Sequence, residues 1–195
     1  HKSLKMTMAQ GLYKFGLKFS KKVIFLNAEN RRVMLQKGFC KEKNAVMLPA
    51  GEGLDLKKFP YYDNSSSEII FLMISRVLAD KGYYEYVEAA KIVKQRHPEV
   101  RFQLLGFADE NNPNGIKRSM LDEDVRRGYI EYLGYTHDMA AVYERKGIVV
   151  TLPSYHEGLN RTLMEACATG KPIVTTDIPG CRETVAEGIN GFLCK

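Results

Sequence analysis

The chain has 195 residues, of which 45% are hydrophobic and 27% charged, a composition that excludes a disordered protein. The formal net charge of +6 comes from the start of the chain, because residues 1–22 carry six lysines and no acidic residue. The remainder is balanced, which disfavours a nucleic-acid-binding domain. The sequence contains no apolar run of transmembrane length and no secretory signal, so we expect a cytoplasmic protein.

The cysteines and acidic clusters give no sign of a metal centre. Four cysteines are present, and none belongs to a C-x-x-C pair: Cys40, Cys167, Cys181 and Cys194. The acidic run 122–124 lies among arginines, which is typical of a solvated helix face. We therefore expect neither a metal nor a cofactor. The chain starts at His1 and stops one residue after a predicted strand, so we expect it to be a piece of a longer protein.

Residues 1–22 predict an amphipathic helix. Its apolar face is formed by Leu4, Met8, Leu12, Phe15 and Phe19, at helical spacing. With lysines beside this face, one interpretation is a helix lying on an anionic membrane surface. The other is a helix packed on a neighbouring domain, which Gly11 and Gly16 favour slightly because glycine weakens a free-standing helix.

The remaining chain alternates between strands and helices. Strands are predicted at 23–27, 46–49, 69–74, 102–105, 130–133, 148–152, 173–176 and 192–194. Helices are predicted at 28–37, 81–96, 117–127, 138–144, 159–169 and 182–187. From residue 68 onward this order indicates an α/β fold with a doubly wound parallel sheet, in which ligands bind outside the carboxyl ends of the strands.

Two cationic residues follow the first strand of this sheet. Arg76 comes just after the strand and Lys81 starts the next helix. A lysine at a helix N-terminus is unfavourable for the helix dipole, which suggests an anion nearby, although surface cations are common at such positions. Gly106 and Gly134 each follow a strand directly and leave room for a flat ligand.

The segment 153–177 places two carboxylates beside a helix N-terminus. Glu157 lies in a loop, and Glu165 lies in an apolar helix where a carboxylate needs a partner. Gly158 lets the backbone approach a ligand, and the helix start can hold an anion. A sugar joined to a diphosphate has both kinds of feature. Taken singly, either glutamate is also explained as an ordinary helix residue, and His156 as a loop residue that bonds the backbone.

Three patterns resemble the donor half of a GT-B glycosyltransferase of group 1, or family 4, a retaining class. They are E-x7-E, R-x4-K-G and P-x-G-x-G-x-D-x-x-x-F, matched by Glu157 and Glu165, by Arg76, Lys81 and Gly82, and by Pro49, Gly51, Gly53, Asp55 and Phe59. The resemblance implies a Rossmann-like donor-binding domain over 68–195, truncated at its C-terminal end. It also implies a linker over 51–67 and a remnant of the acceptor domain over 1–50.

The resemblance also implies roles for individual residues. Arg76 and Lys81 would neutralise the leaving diphosphate, Glu157 would hold the sugar hydroxyls, and Glu165 would hold the ribose diol. The remaining predicted contacts are backbone N–H groups of Gly158, Leu159 and Asn160 for the phosphates or the sugar, and Gly106, Leu133 and Tyr135 beside the base.

The function implied is transfer of a hexose or N-acetylhexosamine from a UDP-sugar to a lipid-linked or glycan acceptor in polysaccharide biosynthesis. A polyprenyl-diphosphate acceptor would place the enzyme at the inner face of the membrane, in peripheral contact with it. The alternatives are a non-catalytic nucleotide-sugar-binding or interaction module of the same fold and, with least support, a glycoside hydrolase using Glu157 and Glu165. We expect the isolated piece to bind nucleotide weakly and to transfer nothing.

Overall fold

The computed structural model describes residues 4–48 and 51–195. The chain divides into a smaller unit that ends at Gly53 and a larger unit that begins at Leu54. Pro49 and Ala50, from the predicted linking motif and its surroundings, lie outside the described residues. Within the described part of the chain, no helix is long and apolar enough to cross a membrane.

The described residues of the smaller unit form two helices and a two-stranded parallel sheet. Its elements are α1 (Leu4–Lys18), β1 (Val23–Phe25), α2 (Ala28–Gln36) and β2 (Ala45–Met47). Val23 pairs with Ala45 and Phe25 with Met47. Helix α2 begins where the sequence predicts because the Asn27 side chain accepts a hydrogen bond from the Asn30 N–H at 2.8 Å and caps the first turn. A short 3₁₀ turn before β2 was not predicted.

The apolar face of α1 is exposed. Leu4, Met8, Leu12, Phe15 and Phe19 are 61–77% exposed, and no residue of α1 is buried. The helix contacts its own unit on the other side, where the Tyr13 and Phe39 rings lie 5.9 Å apart, edge to face. The residues of the smaller unit that the structure describes therefore leave this apolar face uncovered.

The larger unit is built on a six-stranded, entirely parallel sheet with the order β5-β4-β3-β6-β7-β8. The strands are β3 (Ile70–Ile74), β4 (Arg101–Leu105), β5 (Glu131–Tyr132), β6 (Ile148–Leu152), β7 (Ile173–Thr176) and β8 (Gly191–Cys194). The helices are α3 (Tyr83–Arg96), α4 (Arg118–Arg126), α5 (Met139–Glu144) and α6 (Arg161–Ala168). This arrangement confirms the predicted α/β, Rossmann-like fold. Strands β4 and β5 are added on one side of β3, and β6, β7 and β8 on the other. The strand order therefore reverses between β3 and β6, which is the place where such folds bind ligands.

The sheet separates two apolar cores. Leu72 and Met73 are consecutive in β3, are both fully buried, and belong to different clusters, because successive side chains of a strand point to opposite faces. Leu72 packs in the cluster that contains Tyr143 and Leu163. Burial on both faces explains why β3 is a continuous apolar run rather than an alternating one.

The segment predicted as a linker, 51–67, is for the most part bound to the larger unit. Phe59 is 2% exposed in the core, and the Tyr62 N–H donates to the Thr169 carbonyl at 3.2 Å. The Asn64 side chain donates to the Ile148 carbonyl at 2.9 Å and accepts from the buried Lys171 ammonium, also at 2.9 Å. Of the polar residues in this stretch, Asn64 is bonded inside the fold, whereas Asp63 and residues 65–67 are exposed. Similarly, the helix predicted at 182–187 is only a 3₁₀ turn, Arg182–Thr184.

Candidate functional site

The loops after β3 and β6 bring two of the predicted residues into direct contact. The Lys81 ammonium lies 2.6 Å from a Glu157 carboxylate oxygen, with the two side chains 19% and 10% exposed. Because β3 and β6 are neighbouring parallel strands, their carboxyl ends open at the same edge of the sheet. The ion pair therefore lies at the reversal point of the fold.

A close contact between the two loops fixes this arrangement. Gly82 has φ +84°, and a Cβ there would lie 2.0 Å from the Pro153 carbonyl oxygen, so only glycine fits. The Tyr155 N–H donates to the Asp80 carbonyl at 3.1 Å. The glycine of the R-x4-K-G pattern is thus required by the approach of the two loops.

A cavity of about 200 Å³ lies beside this edge. It is lined by Ile74, Ser75, Arg76, Leu105, Gly106, Phe107, Tyr135, Thr136, Met139 and Thr162. Three predicted residues, Arg76, Gly106 and Tyr135, line it together with Thr162 from the first turn of α6. Leu133 lies outside this lining and donates its N–H to the Leu104 carbonyl at 2.9 Å. Phe107, which the sequence analysis did not name individually, is 56% exposed at the cavity.

Gly106 allows the ends of β3 and β4 to approach each other. A Cβ at this position would lie 1.7 Å from the Ser75 carbonyl oxygen. The Gly106 N–H donates to the Gly134 carbonyl at 2.7 Å, and the Tyr132 hydroxyl donates to the Gly106 carbonyl at 2.8 Å. This glycine therefore shapes the wall of the cavity.

Helix α6 begins two residues later than predicted. Asn160 is its N-cap, and the Asn160 side chain accepts a hydrogen bond from the Leu163 N–H at 3.2 Å. The Asn160 N–H donates to the Gly180 carbonyl at 3.1 Å. The Asn160 amide, predicted to face the phosphates or the sugar, is thus bonded within the protein in this structure, and its role toward a donor stays a prediction. The amides of Arg161 and Thr162 occupy the first helical turn, where intrahelical partners are lacking.

Glu165 lies inside α6 with 5% of its surface exposed, and it has the partners that its burial requires. Arg161 Nε donates to the Glu165 carboxylate at 3.0 Å from a side chain that is 67% exposed. The Tyr143 hydroxyl donates to the Thr162 carbonyl at 3.0 Å, and its burial, followed by the negative charge of Glu165, raises the pKa of Tyr143 well above its ordinary value. Tyr143 was not among the predicted residues, because its only sequence signal is a tyrosine in a short, mainly apolar helix.

The other candidate groups have ordinary surroundings. The Ser154 hydroxyl donates to the His156 carbonyl at 3.4 Å, and His156 itself is exposed. Asp122 is paired with Arg118, and Asp124 accepts a hydrogen bond from Tyr83 at 2.7 Å. Among the residues that the structure describes, no group of three or more His, Cys, Asp or Glu side chains is placed to hold a metal ion.

The family comparison extends over most of the larger unit. The family described as "Glycosyl transferases group 1" matches residues 57–195. The chain belongs to the group 1 glycosyltransferase family. The resemblance identified from the sequence patterns is therefore confirmed.

Known relatives of this group 1 glycosyltransferase chain include enzymes named for lipid-linked substrates. It is 34% identical over 197 residues to the N,N'-diacetylbacillosaminyl-diphospho-undecaprenol alpha-1,3-N-acetylgalactosaminyltransferase of Campylobacter jejuni subsp. jejuni serotype O:2, covering 94% of this chain and 50% of that protein. It is 24% identical to the UDP-Gal:alpha-D-GlcNAc-diphosphoundecaprenol alpha-1,3-galactosyltransferase of Escherichia coli, covering 93% of this chain and 49% of that protein. The chain thus spans about half the length of these curated relatives.

Solved structures show the same fold. Anabaena Alr3699/HepE in complex with UDP superposes with a TM-score of 0.78 at 20% identity, over 99% of this chain and 55% of that chain. Sucrose-phosphate synthase from Thermosynechococcus elongatus gives 0.75 at 22% identity, over 96% of this chain and 48% of that chain. These similarities support the assignment of the larger unit to the GT-B architecture.

Proposed function

We propose that the chain is the donor-binding half of a retaining glycosyltransferase that moves a hexose or N-acetylhexosamine from a UDP-sugar to a lipid-linked or glycan acceptor in polysaccharide biosynthesis. The observation that carries the proposal is the carboxyl edge of the sheet, whose loops hold both the Lys81–Glu157 ion pair and a cavity lined by Arg76 and Thr162. Cations, hydroxyl acceptors and a helix N-terminus are the groups that a sugar diphosphate needs.

The charged residues have separate tasks in this proposal. Breaking the anomeric C–O bond passes through an oxocarbenium-like state and leaves negative charge on the diphosphate. Arg76 offers a planar fork and Lys81 a compact charge to those oxygens, and the N-terminus of α6 adds its dipole. Such preplaced groups stabilise the charge as it develops. A leaving phosphate oxygen takes the acceptor's proton in this retaining reaction, so this half supplies no general base.

The neutral parts of the donor are assigned to neighbouring residues. Glu157 accepts hydrogen bonds from the sugar hydroxyls once Lys81 turns to the phosphates, and Glu165 accepts them from the ribose diol. The base lies against Gly106 and Tyr135. A UDP donor is supported by the E. coli relative named for UDP-galactose and by the UDP complex of Alr3699/HepE.

We propose further that the enzyme acts at the cytoplasmic face of the membrane with α1 in peripheral contact with anionic lipid. The two relatives named above act on diphospho-undecaprenol-linked substrates, and the exposed apolar face of α1 is accompanied by lysines. Apolar and cationic side chains together suit a helix at a membrane surface. The alternative is that a neighbouring domain covers this face, and binding to lipid vesicles distinguishes the two possibilities.

The test combines binding and transfer. UDP calorimetry on the 195-residue chain should show binding that Arg76→Ala and Glu165→Ala each weaken about tenfold, the usual cost of losing a charged hydrogen bond. A screen of UDP-, GDP- and ADP-sugars with a longer polypeptide that contains this chain should then show transfer from a UDP-sugar. Equal affinity in all three proteins, or no heat at all, would favour the interaction module instead.

A further inference from the structure

A cleft in the smaller unit is surrounded by lysines. It lies between the second half of α1 and the turn 38–44, and its volume is about 650 Å³, which is within the range of small-molecule sites. The residues that line it are Lys14, Leu17, Lys18, Gly38, Phe39, Cys40, Lys41, Lys43 and Asn44. Four of these residues are cationic and none is anionic. The proposed donor site does not include any of them.

The four lysines of this cleft have no carboxylate partner among the residues that the structure describes. Glu42, the acidic residue within the turn, is instead paired with Arg31, and Glu29 is paired with Arg32. Like charges around one cleft repel each other, and a concave positive surface concentrates anions. Binding of an anion from solution would relieve this repulsion.

Hydrogen bonds fix the walls of the cleft. The Asn44 side chain donates to the Ser20 carbonyl at 3.4 Å, and the Lys22 ammonium donates to the Lys43 carbonyl at 3.2 Å, so the turn is tied to the segment that follows α1. The Phe39 ring also packs against a ring of α1. Because these contacts hold the walls before a ligand arrives, binding costs less conformational freedom than it would in a loose loop.

Gly38 allows a lysine of the helix to approach the turn. It has φ +65°, a conformation that favours glycine, and a Cβ there would lie 3.5 Å from the Lys14 ammonium. Lys14 therefore lies against the turn that carries Lys41 and Lys43. One ligand in the cleft can contact cations from both walls.

We propose that this cleft binds a phosphate group that carries about two negative charges, as in a phosphate monoester or a diphosphate. Lysine ammonium groups are compact charges that suit phosphate oxygens. Leu17 and Phe39 add apolar surface for the group that is esterified to the phosphate. Exposed apolar residues on the same helix, Leu12 and Phe15 among them, favour a phosphate that is carried by a lipid.

The site differs in its selectivity from the peripheral contact proposed for α1. A helix at an anionic surface responds to total charge, whereas a cleft with fixed walls distinguishes a monoester from a diester at equal charge. The experiment is flotation of the 195-residue chain with phosphatidylcholine vesicles that contain either phosphatidic acid, a monoester, or phosphatidylglycerol, a diester, adjusted to equal surface charge. Wild type should bind the phosphatidic acid vesicles about tenfold more tightly.

Lys14→Gln combined with Lys41→Gln should reduce this ratio of affinities to less than about twofold, because it removes one cation from each wall. The matched control is Lys5→Gln combined with Lys21→Gln, which removes the same charge from positions outside the cleft. The control should weaken binding to both vesicles and keep the ratio at about tenfold. All four residues are exposed, so neither variant should change the unfolding temperature.

Calorimetry with inorganic diphosphate separates the two sources of the phosphate. Selective binding to phosphatidic acid that the cleft variant loses supports a lipid ligand. Equal affinity for the two vesicles, combined with diphosphate binding that the cleft variant loses, identifies a free phosphate compound and retains the site. Equal vesicle affinities without diphosphate binding overturn the inference, as does a selectivity that the cleft variant keeps or that the control variant also loses. These outcomes do not bear on the donor function, which UDP calorimetry tests separately.

Discussion

Removing either half of the Lys81–Glu157 ion pair should change nucleotide affinity in opposite directions. The two groups lie 2.6 Å apart in side chains that are 19% and 10% exposed. In the proposed reaction the Lys81 ammonium must leave Glu157 to bind the diphosphate. Breaking the ion pair costs free energy, and this cost makes the binding of UDP weaker. Glu157→Gln removes this competitor and should tighten UDP binding about fivefold, whereas Lys81→Met should weaken it about tenfold.

The magnitude follows from the burial of the pair. Losing one partner of a fully buried pair costs about 3–5 kcal/mol, and exposed pairs contribute less than about 1 kcal/mol. A pair with this intermediate burial should contribute about 1–3 kcal/mol. Glu157→Gln should therefore lower the unfolding temperature by about 3–10 °C while binding UDP more tightly.

The assays are calorimetry with UDP at fixed salt and thermal unfolding followed by circular dichroism. The control is Glu88→Gln, which releases Lys91 from a pair at 3.2 Å whose side chains are 36% and 63% exposed, and which should alter neither measurement. If Glu157→Gln weakens UDP as much as Lys81→Met does, then Glu157 holds the ammonium in place rather than competing for it. That result would refute the exchange of partners.

Three further predictions test other parts of the molecule. Gly106→Ala should destabilise the chain by about 3 kcal/mol and abolish UDP binding, because the new Cβ would lie 1.7 Å from the Ser75 carbonyl oxygen. Gly134 has φ +74° and open space around it, so Gly134→Ala should cost only about 1 kcal/mol in denaturant titrations. Equal costs for the two variants would contradict the steric argument. The hydrogen bonds from Arg101 hold the pKa of the Glu131 carboxyl below its ordinary value of 4.5. Their contribution to the free energy of unfolding is therefore fully present above pH 4.5 and is lost as the pH falls through the lowered pKa of the folded state. Acid unfolding curves of Glu131→Gln should lack this loss, and an unchanged acid limb would count against the assignment. In a longer polypeptide that contains this chain, the combined Leu12→Gln and Phe15→Gln changes should abolish flotation with phosphatidylglycerol vesicles, whereas Met6→Gln should not. A wild-type protein that does not bind these vesicles would indicate that a neighbouring domain covers α1 instead.

Local patterns in the sequence were sufficient for much of the fold. Among the described residues, each of the eight strands overlaps a short apolar segment that predicts it, and β3 is a continuous apolar run because it is buried on both faces. The pattern also placed Arg76, Lys81 and Glu157 at one edge of the sheet, since parallel strands open at the same side. Their roles toward a donor remain predictions.

What the sequence analysis missed depends on contacts between distant residues. Tyr143 meets Thr162 across 19 positions, and Lys171 meets Asn64 across 107, so neither pairing has a local signal. The prediction of a linker over 51–67 contains no sign of the Asn64–Lys171 contact for this reason. The start of α6 was misplaced because Leu159 continues the apolar pattern, although Asn160 is the residue with a side chain that can cap a helix.

The turn at 178–181 packs against the loop 157–160, which follows β6. The Gly180 carbonyl accepts the Asn160 N–H at 3.1 Å, its own N–H donates to Glu183 at 2.6 Å, and a Cβ on Gly180 would lie 2.2 Å from the Gly158 carbonyl oxygen. A protein shortened at Asp177 would keep five of the six strands of this sheet and all the residues proposed to touch the donor. The loop around Gly158 would, however, lose its contacts with Gly180. Minimal versions of this domain for inhibitor screening or for grafting onto other acceptor halves must therefore extend past Glu183.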